Sequence, residues 1–103
     1  NYYINYFELS NCEDKAISVG EKTILNLVKA NISDSEMGLA SKDSSVSEIK
    51  NIDLLNVDIC LSAYNKKQEF YGGLIKIKNI TCKDFSKKID EDKQSNIFVE
   101  NWN

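Results

Sequence analysis

The chain has 103 residues, 42% hydrophobic and 28% charged, proportions expected of one folded domain over residues 1–103 rather than a disordered segment. Sixteen acidic residues against thirteen basic ones, all of them Lys, give a net charge of −3. That balance argues against a nucleic-acid partner, since such proteins draw affinity from clustered Lys and Arg. No apolar run approaches the length of about twenty residues that spans a bilayer, so no membrane span is expected.

The opening stretch, NYYINYFELS, lacks the basic start and small-residue cleavage site of a signal peptide. Without an initial Met, it reads as the start of a mature product or of a segment from a longer coil, with flanking turns expected beyond it. A first unit runs from Ile4 through Phe7, Leu9 and Cys12 to Val19, and Gly20 lets the chain turn. Tyr2, Tyr3 and Tyr6 cluster here, where packing against a neighbouring turn outweighs a role as a sugar platform. The second unit, Thr23 to Ser45, begins with EKTILNLVKA, whose apolar residues fit either one helix face or a strand. Strand is preferred, because VSEIKNIDLL occupies the same slot in the next unit and is richer in β-branched residues and Asn than helices favour.

An internal period makes these slots comparable. Sliding the chain by 22 residues aligns KAISVGEK, MGLASKDS and ICLSAYNK, placing Ile17 on Leu39 and Leu61, and Glu21 on Asp43 and Asn65. The same frame carries Ala30 onto Ile52 and Ile32 onto Leu54. A step of 28 then carries Leu54 onto Cys82 and Val57 onto Phe85, so six extra residues lie in NKKQEFYGG. The four letters IKNI at Ile49 to Ile52 return unchanged at Ile77 to Ile80. Four units result, with a last strand at Ile97 to Val99. The segment DFSKKIDEDKQ carries charges three and four apart as a solvated helix would, so that any helix in the chain is expected there rather than in EKTILNLVKA.

Each unit holds two or three apolar runs of only a few residues between turns of Asn, Asp, Ser and Gly. They are too short for paired helices and lack the leucine-rich-repeat pattern. The fold expected is all-β: a parallel β-helix of about four turns, roughly 20 Å tall at a strand spacing of about 4.8 Å. GLASKDSS followed by AYNKKQEFYGG, one turn after KAISVGEK, resembles the right-handed parallel β-helices of the pectate-lyase-like superfamily. These occur in bacterial secreted and surface proteins, including those with spore-coat-protein-H-type kinase domains. The resemblance implies an extracellular or cell-surface location, without fixing an activity.

Cysteines at 12, 60 and 82 match no zinc or redox spacing. Cys12 and Cys82 are placed in the column of Ile32 and Leu54, and Cys60 in that of Ala16 and Gly38. A Cys12–Cys82 bridge would cross about three strand spacings, more than a disulfide allows, so three free thiols are expected.

The most function-like feature is a polar ladder where each strand closes: Glu21 and Lys22, Lys42 and Asp43, then Asn65, Lys66, Lys67 and Glu69. Stacked in register it offers a grip on a charged glycan, or a carboxylate beside a lysine as base and acid. Mutual neutralisation that holds register is the stronger reading. The long loop Asn65 to Gly73 adds Tyr64, Phe70 and Tyr71 as candidate contacts, because surplus loops are where solenoids carry binding residues. With no His and no Arg, Ser-His or Cys-His nucleophile chemistry and a bidentate carboxylate clamp are ruled out of this chain. No catalytic residue, metal ligand or cofactor is assigned. The expected function is a non-catalytic structural or interaction module, with flanking turns or a partner chain at its ends and polysaccharide as the candidate ligand. The alternative is part of a β-helix polysaccharide lyase or glycoside hydrolase whose catalytic turns lie elsewhere.

Overall fold

In the computed structural model, which describes residues 1–67 and 70–103, the first element β1 (Tyr2–Val19) is 18 residues of extended chain. At about 3.3 Å per residue such a strand measures roughly 60 Å. The longest dimension of the molecule is 34 Å, so the strand bends. So do β2 (Ile24–Lys42), β3 (Val46–Tyr64) and β4 (Leu74–Glu91), while β5 (Asn96–Trp102) is short. All pair in parallel in the order β1-β2-β3-β4-β5. The chain is a parallel β-solenoid of about four turns.

The bends have a residue-level cause. Asn11, Asp34, Asn56 and Asp84 take φ of 59°, 55°, 57° and 58°, a left-handed conformation that Asn and Asp tolerate better than other non-glycine residues. They occupy one corner column, between the pairs Ser10↔Ser33↔Leu55↔Lys83 and Cys12↔Ser35↔Val57↔Phe85. Across that corner the Asn56 amide donates to Asp34 Oδ1 at 2.8 Å. A second corner follows β2, where Asp43 and Ser44 have φ of 51° and 63°.

The expected columns are present. Ile17, Leu39, Leu61 and Ile89 stack in one, and Leu9, Ile32, Leu54 and Cys82 in another. The repeated IKNI gives the buried pairs Ile49↔Ile77 and Ile52↔Ile80. Between them Asn51, Asn79 and Asn101 form an amide ladder with bonds of 3.2 and 3.1 Å. Leu39, Ile52, Leu54, Leu61, Ile75 and Ile80 are almost wholly buried, each stabilising the coil by about 1.5–3 kcal/mol relative to exposure.

Three expectations are corrected. DFSKKIDEDKQ is not a helix: β4 continues to Glu91, with Phe85, Lys87 and Ile89 lying over Val57, Ile59 and Leu61. Pairing with the turn beneath overrides its local charge pattern. Cys12 does not share the column of Ile32, which Leu9 occupies; it lies over Ser35, because β1 keeps a step of 23 residues with β2 up to Cys12, where the expected column requires 20. The expectation of three free thiols also fails. Cys60 and Cys82 form a disulfide, with Cα atoms 6.4 Å apart, and Cys12 alone is free. Cys60 follows the Asn56 corner and Cys82 precedes the Asp84 corner one turn above, so the bridge joins the two sides of that corner column. One turn below, the equivalent positions are Gly38 and Leu54, where a Cβ on Gly38 would run into the Leu54 side chain.

Candidate functional site

The six surplus residues lie between β3 and β4, where the register step lengthens to Val46↔Leu74. Two groups from the turn below, with one residue of the insertion itself, tie this insertion down. Asp43, wholly buried at the corner after β2, accepts hydrogen bonds at Oδ1 from the N–H groups of Lys66 and Lys67, at 2.7 and 2.9 Å. The Asn65 amide donates to the carbonyls of Lys67, Phe70 and Tyr71 at 2.9, 2.6 and 3.0 Å. Ser44 clamps Tyr71 from both sides: its Oγ accepts the Tyr71 N–H at 2.8 Å, and its own N–H donates to the Tyr71 carbonyl at 2.8 Å.

Gly72 and Gly73 then pass so close to the neighbouring turns that no side chain fits. A Cβ at Gly72 would overlap Ser95 Oγ and the Gln94 backbone, and one at Gly73 the Ser41 carbonyl. The Gly73 N–H donates to Ser95 Oγ at 3.0 Å, and Ser95 Oγ in turn donates to Asp92 at 2.7 Å. Asp92 also accepts the Asn65 N–H at 2.7 Å. Two carboxylates, one from the turn below and one from the turn above, therefore hold the insertion.

Their ionisation follows from these donors. Burial pushes the Asp43 carboxyl upward, but the N–H groups of Lys67 and Lys66 and the charges of Lys42 and Lys67 hold it below its ordinary value. Burial acts the same way on Asp92, and is outweighed by the Ser95 hydroxyl and the N–H groups of Asn65, Gln94 and Ser95. Both are carboxylates at neutral pH.

The sequence-derived candidates gather around this insertion, in different roles. Asp43 is sealed beneath it and cannot meet a ligand. Lys66 and Lys67 are exposed, and Lys67 forms an ion pair with Glu21, which lies two turns below. Lys22 sits over the Phe70 ring, 5.5 Å from its centroid. Lys42 and Tyr64 are half-buried register partners at the ends of β2 and β3. Tyr71 is 82% exposed on its clamped backbone. Glu69 lies outside the described residues.

Sequence reasoning missed the inward turn of Asp43. The only signal was its place in a column with Glu21 and Asn65, which gives alignment and not direction. Among the described residues no group of three or more His, Cys, Asp or Glu side chains is arranged to hold a metal ion. Among the described residues no helix is long and apolar enough to cross a membrane. No protein-family model, curated protein or solved structure matches this chain.

Proposed function

We propose that this chain is a non-catalytic interaction module, a β-helix of the pectate-lyase-like kind in a secreted or cell-surface protein, which presents the 65–73 insertion to carbohydrate. The carrying observation is Tyr71, an aromatic ring 82% exposed on a backbone clamped by Ser44 and Asn65. A ring held out in this way loses little entropy on contact and offers a face to stack against a pyranose. Lys22, Lys42 and Lys66 supply positive charge nearby, and Phe70 supplies a second ring.

Two further features support the reading. The Cys60–Cys82 disulfide suits an oxidising, extracellular compartment. Asp43, the ladder carboxylate placed to act as a general base, has no exposed surface and uses Oδ1 to organise backbone. A base must reach the proton that it removes, so the ladder works as scaffolding.

The test is a glycan array with the wild-type chain and Tyr71→Ala, followed by an assay for new reducing or unsaturated ends on every hit. Hits that disappear in the variant and yield no new ends are expected. Turnover of any hit, or hits that persist unchanged in Tyr71→Ala, would overturn the reading.

A further inference from the structure

At one end of the coil, away from the insertion, β1 is an edge strand. It pairs with β2 on one side only, so the backbone N–H and C=O groups that it turns the other way have no ladder partner among the described residues. Columns that are sealed one turn up lie open here. Tyr2 is 63% exposed where its register partner Leu25 is 5% exposed, and Ile4, Phe7 and Leu9 are only half-covered beside buried Leu27, Ala30 and Ile32. Protein edges are commonly blunted by charges and by bulges. In β1 both devices fall in one stretch, the register shift between Cys12 and Lys15, which holds exposed Glu13 and Asp14. From Tyr2 to Ser10 the step with β2 stays at 23 residues and the only charge is Glu8.

The open columns of that stretch are spaced symmetrically. Tyr2, Ile4, Phe7 and Leu9 stand two, three and two residues apart, and the step of three falls where Asn5 and Tyr6 are both exposed. A twofold axis through that point, perpendicular to the coil axis, sets Tyr2 against Leu9 of a second copy and Ile4 against its Phe7, with the two strands antiparallel. Each apolar column then meets an apolar column. Glu8 falls against Tyr3 of the second copy, not against its own equivalent.

We propose that the β1 end docks on the β1 end of a second copy of this chain, with Tyr2 to Ser10 pairing antiparallel about that axis. The symmetrical spacing selects a second copy, since it is the property that an isologous contact requires. Outline selects it too. The edge of β1 follows the bent perimeter of the coil, and a straight peptide strand would cover one wall of it, whereas a second coil presents the same bent perimeter. The β5 edge is a poorer match, spanning Asn96–Trp102 against the 18 residues of β1. In a molecule measuring 34 × 27 × 25 Å, an end face has on the order of 600 Å², so a stacked pair buries roughly 1,200 Å², the lower limit of a stable interface.

Sedimentation velocity of the wild-type chain between about 1 and 500 μM brackets the micromolar affinity that an interface of this size supports. The mass should rise from one copy to two and stop there, because a twofold contact closes on itself. Hydrogen exchange in β1 should be fast in the dilute chain and slow in the concentrated one, with β5 unchanged. Tyr2→Lys buries a charge against Leu9 of the second copy and should weaken association about tenfold or more. Its melting temperature in dilute solution should match that of the wild type, because Tyr2 is exposed in the single chain. A chain that stays monomeric throughout overturns the proposal, as do species larger than two copies or protection that appears in β5 instead of β1. Association of Tyr2→Lys at wild-type strength does so as well. If that variant does not fold, the mass and exchange of the wild type decide the matter alone.

Discussion

Asp43 carries a charge to a position with no exposed surface, and the donors around it explain why the charge survives there. The carboxyls of Asp43 and Asp92 titrate lower in the folded chain than in the unfolded one. Their contribution to stability is therefore complete above the unfolded value of about 3.9, and is lost as pH falls through the folded values. Thermal midpoints should be level between roughly pH 7 and 5 and drop below about pH 4. Asp43→Asn should flatten that drop and cost roughly 1.5–3 kcal/mol at neutral pH, since charge-assisted bonds to two N–H groups are weakened. A midpoint in the variant as acid-sensitive as the wild type would show that other carboxyls set the profile. Cysteine chemistry belongs to the same scale. The denatured, unreduced chain should titrate one thiol and the reduced chain three. Cys60→Ser/Cys82→Ser should lose about 3 kcal/mol, the loop-closure value for a bridge of this sequence separation.

At the scale of elements, the corners and the insertion behave differently from the straight segments. Asn56 holds a left-handed φ and also donates to Asp34. Asn56→Val should therefore lose about 1–3 kcal/mol, as a β-branched residue is forced into that conformation, whereas the same change at exposed Glu48 should alter stability by less than about 0.5 kcal/mol. Chemical denaturation of both variants reads the difference. In the insertion, Gly73→Ala drives a methyl group into the Ser41 carbonyl, a backbone atom with no room to yield. A loss of roughly 1–3 kcal/mol is expected, together with altered Tyr71 fluorescence or NMR shifts. Unchanged stability would mean that the insertion is not seated against β2. The period of the straight segments was legible from the sequence, because stacked residues such as Leu39 and Leu61 recur 22 apart. The step of 28 likewise located the insertion before its anchors were known.

For the whole molecule, stability in a coil of this kind is a sum over turns and the interfaces between them. The middle turns bury Leu39, Ile52, Leu54 and Leu61. The β1 end leaves Ile4, Phe7 and Ile17 only partly covered, beside a cavity of about 440 Å³. Hydrogen exchange should accordingly be slowest in β2 to β4 and fastest in β1 and β5. Uniform protection across the five strands would indicate that the β1 end is covered in solution. A coil can continue at such an end, and a further turn or a partner chain seated there would raise protection in β1 first.

By itself, the sequence determined the coil: its all-β class, the columns through Ile17, Leu39 and Leu61 and through Ile32, Leu54 and Cys82, and the position of the extra residues. Neighbours along the axis are related by a fixed step in the chain, and that step is written as repetition. Tertiary structure decided what meets around the corners. Cys60 faces Cys82, and Asp43 turns inward to hold Lys66 and Lys67. These contacts depend on how far each corner rotates the chain, a sum of backbone angles at Asn56, Asp43 and Ser44 that no spacing records. The extended path of Asp84 to Glu91 was decided in the same way, because the hydrogen bonds offered by β3 outweigh a local preference for helix.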